Sequence, residues 1–276
     1  MDDLRLAAGD AVLTVSPGNG GRLAGLSVAG LELLGAGAPH LFGWGCFAMA
    51  PYAGRVRHGR LHREGRTHQL PVVFQGHAIH GVTVDRPWEV LDIDRSDASA
   101  RLRCRFDGRW PWLGHAVQTV RLTGDRLDLT LEVHADDVPM PAWSGFHPWF
   151  ARRLLARDGT PVGRPVRMDV PATGLLRPDG EGLPTEDVVP VGDGPWDATF
   201  AGVRWPATLT WDDALRLTVS ADTTWAVVFD ERPEAVCVEP QTAPPNAADL
   251  TGPGAAPVVE PGTPSVLHMS WHVERL

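Results

Sequence analysis

Glu239 closes a short apolar run, Val236-Cys237-Val238, and is followed at once by Pro240, Gln241 and Thr242. Proline removes a backbone donor and interrupts a ladder, so this spacing predicts a strand that ends here with its acid at the strand mouth. A carboxylate against apolar neighbours has its charged form disfavoured, which is how a fold makes a usable general base. Taken alone, the residue is equally compatible with a solvent-facing strand end. His147 lies in Gly145-Phe146-His147-Pro148-Trp149-Phe150. Aromatic neighbours exclude water and the proline limits the backbone, so an imidazole that titrates near neutrality is held as a proton donor. The alternative is a core histidine bonded to a carbonyl.

His80 precedes Gly81, where the missing side chain allows a ligand close to the backbone. His77 competes with it. In an extended segment the two rings point to opposite faces, so one of them faces a site. His77, His80 and His147 lack the close helical spacing of metalloenzyme motifs, and no metal is expected. Asp197 stands between Trp196 and Phe200, a setting that suits a sugar. The C–H face of the ring stacks on aromatics while its hydroxyls donate to the carboxylate; a plain Asp turn before Ala201-Gly202 is the alternative. Arginine clusters at Arg55, Arg57, Arg60, Arg63 and Arg66, as a solvated loop or as a site for an anionic or polyhydroxyl ligand.

Composition removes whole classes of chemistry. The 25 basic residues are all arginine, so Schiff-base chemistry, pyridoxal phosphate attachment and Walker-type phosphate loops are excluded. A net charge of -9 disfavours nucleic acid as a partner. Cys46, Cys104 and Cys237 are too scattered for a disulfide framework or a zinc site. No apolar run approaches a membrane span and no secretory leader is visible, so a cytoplasmic protein without membrane association is expected.

The elements that must position these residues are strands. Ala11–Val15, Arg101–Phe106, Arg126–Val133, Ala207–Trp211, Leu215–Val219 and Val266–Val273 alternate apolar and polar residues, the period-2 pattern of half-buried strands. Thr123-Gly124-Asp125 and Asp212-Asp213-Ala214 read as hairpin turns between them. No window shows sustained helical periodicity. The pattern predicts an all-β protein, an antiparallel sandwich or barrel, in one domain over residues 1–276. The Pro/Gly-rich region from Arg157 to Pro195 reads as a long irregular excursion and a candidate for loops over a site.

Together these segments resemble the aldose 1-epimerase (galactose mutarotase-like) family. Pro51-Tyr52-Ala53-Gly54-Arg55-Val56 is similar to its proline-aromatic-x-Asn-Arg-Ile segment, and Ile79-His80-Gly81 to its His-Gly motif. Gly145 to Phe150 resembles its His-Pro-aromatic-Phe motif, Asp197 to Phe200 its Asp-x-x-Phe segment, and Cys237 to Thr242 its Glu-Pro motif. The motifs run in the family's order. The resemblance implies a large antiparallel β-sandwich of the galactose mutarotase-like supersandwich type, no cofactor, and a sugar bound across the concave face of one sheet. It makes Glu239 the general base and His147 the general acid, with His80, Arg55 and Asp197 binding the sugar. Trp149 and His77 are further candidates for the substrate site. Two positions depart from the family: Gly54 stands where it has Asn, and Trp149 where tyrosine is common. The implied activity is interconversion of the α and β anomers of a free aldose, an isomerase reaction. The alternatives are a sugar-phosphate 1-epimerase, if two or more arginines of the cluster converge on the pocket rim, and a non-catalytic sugar-sensing module. The expected partner is a small sugar, with the chain a monomer or homodimer.

Overall fold

The computed structural model describes residues 2–35 and 40–276. Among them, strands follow one another along the whole chain, and the helices are three single 3-10 turns, Pro17–Asn19, Arg57–Gly59 and Ala247–Asp249. None is long and apolar enough to cross a membrane. The all-β expectation holds, and both expected hairpin turns join paired strands.

Two large sheets carry the fold, one of 13 strands and one of 8, with neighbouring strands antiparallel. The smaller sheet keeps the alternation that the sequence announces. Along Arg126–Ala135, Leu127, Leu129, Leu131 and Val133 are buried while the intervening residues reach solvent. Opposite them on Ser265–Arg275, Trp271, Met269 and Leu267 pair with Leu127, Leu129 and Leu131. Each such cross-strand apolar pair is worth about 0.2–1 kcal/mol beyond burial itself. The inner faces of the two sheets meet directly. Trp211 Nε1 donates to the Ala151 carbonyl at 2.9 Å, and the Phe150 and Trp271 rings meet edge to face at 4.9 Å.

The middle of the larger sheet breaks the alternation. Cys46–Met49, Gly145–Pro148 and Ala235–Gln241 are buried at every position. One face lies on the core, so the other is covered as well. That second face is the floor of the site.

Two expectations need correction. The strand does not end at Glu239 but runs through Pro240 to Gln241, with Glu239 paired to Val227 and Pro240 to Ala226. On its other side this strand pairs with the His147 segment at Gly145–Gln241 and not again until Phe150–Val236 and Ala151–Ala235. Pro240 falls in the unpaired gap, where its missing donor costs little. Equal spacing on both strands places His147 opposite Glu239 inside that gap. Second, Arg157 to Pro195 is not irregular: it holds the strands Pro161–Val162, Arg167–Asp169, Gly174–Pro178 and Pro184–Val189. The last two pair as a hairpin at the end of the large sheet; Pro184 lies on the edge strand, and Pro178 lies beyond Gly174 and Leu175, the residues that pair with the next strand inward.

Candidate active site

A cleft of about 850 Å³, counted to its open mouth, lies over the face that carries Glu239. Period-2 strands place its floor. Asp197 and Thr199, Val227 and Phe229, and Glu239 and Gln241 are i, i+2 pairs on three adjacent strands, and all six line the cleft. His147 enters from the fourth. The Gly174–Val189 hairpin supplies Leu183 and Pro184 as a wall, which keeps part of the expectation that this region covers a site.

Glu239 and His147 meet at the bottom, with His147 Nε2 3.3 Å from Glu239 Oε1. Both are buried, at 3% and 6% exposure. Burial, then the nearby Asp197 carboxylate, pushes the Glu239 carboxyl well above its ordinary range; the Gln241 amide and Arg55 pull weakly the other way. Burial, then His80, pushes His147 well below its ordinary value. Both shifts favour the uncharged forms, and so favour a proton on Glu239 over one on His147. The His147 ring is stacked between Phe47, at 4.7 Å, and Trp149, at 5.1 Å, so it can slide little.

The other expected residues distribute as follows. Arg55 lines the cleft and its Nη2 donates to Asp197 Oδ2 at 3.1 Å. The two form an ion pair across the cleft floor and wall. His80 lines the cleft edge-on to His147 at 5.0 Å, and burial followed by Arg55 brings its pKa down to about 3. It is a neutral imidazole at physiological pH. Its Nδ1 has no partner within the protein. Trp149 lines the cleft through its ring, while its Nε1 donates to the Phe42 carbonyl at 2.7 Å. That polar edge is spent on the wall, leaving an aromatic face for ligand.

His77 is not brought to the cleft. Its Nδ1 accepts the His58 amide at 3.2 Å, and its ring packs on His58. The segment is not extended at His80, whose φ is +57°, so the alternation argument fails there. Gly81 also has a different cause from the one expected: a Cβ would meet the Ala50 carbonyl oxygen at 2.1 Å, so it makes room for backbone rather than ligand.

The arginine cluster does not converge. Arg55 alone of the five lines the cleft. Arg57 is held by Asp179, Glu181 and Asp249, while Arg60, Arg63 and Arg66 belong to a separate hairpin. Arg232, from another turn, reaches the rim instead. The space beside Gly54, where the family has Asn, is filled: a Cβ there would lie 2.5 Å from Pro245 Cβ and Cγ.

Three supports escape a motif search. Asn246, buried with φ +59°, donates its backbone N–H to the Arg55 carbonyl at 2.8 Å and accepts the Arg57 amide on Oδ1 at 3.0 Å. It locks the Arg55 segment to the loop after Glu239; its place after two prolines is the only sequence hint. Arg22, 1% exposed, donates to the carbonyls of Asn19, Leu41 and Trp44 and lies 4.1 Å over the Trp44 ring, fixing the loop that carries Phe42. Gln241 lies beside Glu239 on the cleft floor. As for metals, among the described residues His147, Cys237 and Glu239 bring ligand atoms within 4.8 Å of one another. Occupation of that set by a cation would consume both members of the acid–base pair.

The sequence matches the family profile described as aldose 1-epimerase over residues 4–270. Among curated proteins none matches it significantly. Solved structures resemble it throughout. An Escherichia coli K12 protein provisionally named an aldose 1-epimerase superposes with a TM-score of 0.83 at 22% identity, covering 100% of this chain and 99% of its own. A galactose mutarotase-like protein from Clostridium acetobutylicum gives 0.82 at 15% identity, covering 99% and 95%. Galactose 1-epimerase from Lactobacillus acidophilus NCFM gives 0.79 at 18%, covering 99% and 94%.

Proposed function

The chain belongs to the aldose 1-epimerase family, and on that footing we propose that it interconverts the α and β anomers of a free aldose by opening and reclosing the ring. The buried Glu239–His147 pair on the floor of an open cleft carries the proposal. Transfer of the resting proton from Glu239 to His147 across 3.3 Å produces a carboxylate base and an imidazolium acid together. Glu239 then removes the proton of the C1 hydroxyl while His147 Nε2 protonates the ring oxygen. The C1–O bond of the ring breaks and the aldehyde forms. Rotation about C1–C2 presents the other face, and reclosure returns both protons to where they began. No net proton or electron is gained or lost.

The surroundings fit these roles. Neutral His80 beside His147 raises no competing positive charge against the imidazolium, and its unpaired Nδ1 is free for a sugar oxygen. The Arg55–Asp197 pair offers a donor and an acceptor for hydroxyls, and Trp149, Phe42 and Phe229 give apolar faces for the ring's C–H groups. The ion pairing of Arg57 and the absence of Arg60, Arg63 and Arg66 from the cleft lining favour a free aldose over a sugar phosphate. A sensing module would not need matched acid and base. The test is polarimetry on freshly dissolved pure anomers. With Glu239→Gln, kcat is expected to fall about 10²–10⁴-fold, the usual worth of a positioned general base, with sugar affinity little changed. Near wild-type turnover in that variant would refute the mechanism.

A further inference from the structure

Gln241 stands two residues beyond Glu239 on the same strand face, fully buried and lining the cleft, and the acid–base step leaves it without a task. Its amide nitrogen donates to Glu239 Oε2 at 3.4 Å, while His147 lies at the other carboxylate oxygen, Oε1. The two oxygens of the base are thus addressed from two directions. The side-chain carbonyl oxygen of Gln241 has no partner in the protein. A buried oxygen left unpaired costs about 1–3 kcal/mol, so a position that keeps one invites a donor from the ligand.

The surroundings hold this side chain in place. A Cβ at Gly145 would sit 2.9 Å from Gln241 Cγ, so the glycine two residues before His147 is what makes room for it. The Gln241 carbonyl accepts the Thr223 hydroxyl at 2.6 Å, and its backbone pairs with Gly145 on one side and Trp225 on the other.

Anomeric chemistry then fixes which hydroxyl is in reach. C1 has two ring neighbours, the ring oxygen and C2. With the ring oxygen at His147, across the strands from Glu239, C2 turns away from His147. Gln241 lies along the strand from Glu239, a step of about 7 Å and roughly at right angles to the His147 direction. Resting on the mutarotase mechanism above, we infer that Gln241 reads the C2 hydroxyl of the aldose, its carbonyl accepting that hydroxyl while its amide holds the far oxygen of the base. The preferred substrates are aldoses with a free C2 hydroxyl.

The test compares an aldohexose that the wild type turns over with its 2-deoxy analogue, both as pure anomers and corrected for spontaneous mutarotation. A site built around a hydroxyl rejects the analogue that lacks it, and about a 10–100-fold preference in kcat/KM is expected for the wild type. In Gln241→Met, which keeps the volume but neither polar atom, the preference is expected to fall to within about threefold, the size of effects not tied to one hydrogen bond. Gln241→Glu keeps an accepting oxygen but sets a second carboxylate beside the base. It should retain the preference while the alkaline limb of kcat/KM, where the pair loses its one proton, moves to higher pH. An active wild type with a preference unchanged in Gln241→Met, or an unmoved alkaline limb in Gln241→Glu, overturns the role of Gln241 and leaves the mechanism standing. A wild type that turns over no aldose overturns the mechanism, and this inference with it.

Discussion

Gly54→Asn restores the residue that the family resemblance leads one to expect, and the structure says that it should damage this protein. A Cβ at position 54 would lie 2.5 Å from Pro245 Cβ and Cγ and 3.0 Å from its Cα. Ordinary contact begins near 3.4 Å, so the overlap approaches 1 Å, and the obstacle is a rigid ring and its backbone. Overpacking of this kind costs about 1–3 kcal/mol. The backbone conformation, φ +67°, adds less, because asparagine is among the residues that adopt it. The damage should reach the substrate. Pro245 precedes Asn246, which holds the Arg55 carbonyl and the Arg57 amide, so displacing one shifts the other. KM is expected to rise about tenfold, equivalent to about 1.4 kcal/mol of lost binding. Pro245→Gly in the same chain removes the clashing Cβ and Cγ and should recover about 0.5–3 kcal/mol of the combined loss as coupling. Denaturant midpoints and steady-state kinetics on the two single variants and the double variant complete the cycle. A Gly54→Asn protein with wild-type midpoint and KM would show that Pro245 does not fill the family's side-chain space.

Charge neighbours of Glu239 set the alkaline limb of kcat/KM, where the pair loses its one proton. Asp197→Asn removes the carboxylate that raises the Glu239 pKa and should move the limb to lower pH; Arg55→Ala removes a cation that lowers it and should move the limb to higher pH. Shifts of the same sign in both would contradict the placement of these groups. His80, with its pKa near about 3, should give side-chain NMR signals that do not titrate between about pH 5 and 8, where an ordinary histidine does. A midpoint inside that window would show that the ring is charged in use. Glu239 also bears on stability. Its native pKa lies above its unfolded value, so the native state binds more protons, and stability falls as pH rises beyond the ordinary carboxylate range. Glu239→Gln should therefore be more stable than wild type at pH 8 and lose that advantage near about pH 4. Equal thermal midpoints at both pH values would argue against a proton-holding carboxyl.

The smaller sheet is legible because its outer face meets water. Leu127, Leu129, Leu131 and Val133 announce themselves by the polar residues between them. The strand that carries Glu239 is legible for the opposite reason. Val236-Cys237-Val238 has no such interruption, so Glu239 stands out as a lone acid in a segment with no wet face. His147, among Phe146, Trp149 and Phe150, stands out likewise. Backbone conformation is what the sequence hides. Positive φ at His80 and Asn246 turns one ring into the cleft and fastens Arg55, and neither residue type dictates that geometry. His77 misleads for the same reason, since its fate depends on a turn rather than on alternation. The strands between Arg157 and Pro195 are hidden because three of the four are edge or very short pieces, where proline is tolerated and period-2 patterning has little length in which to appear.

These departures gather around one place. Proline inside a strand at Pro240, an open gap in the ladder between His147 and Glu239, two buried left-handed residues, and unpaired polar atoms on His80, His147 and Gln241 all border the cleft. The left-handed residues and the unpaired polar atoms cost stability where they stand, and a fold under selection for stability alone would remove them. Among them, His80, His147 and Gln241 keep polar atoms that no group of the protein satisfies. The unpaired nitrogens and carbonyl are sites for the ligand's own hydrogen bonds. The two-sheet core from Leu6 to Val273 supplies the stability that tolerates this cost. If the proposed function holds, the breaks in local rules map the substrate's polar outline more closely than the motifs do, because motifs identify the residues whereas the breaks identify what those residues still lack.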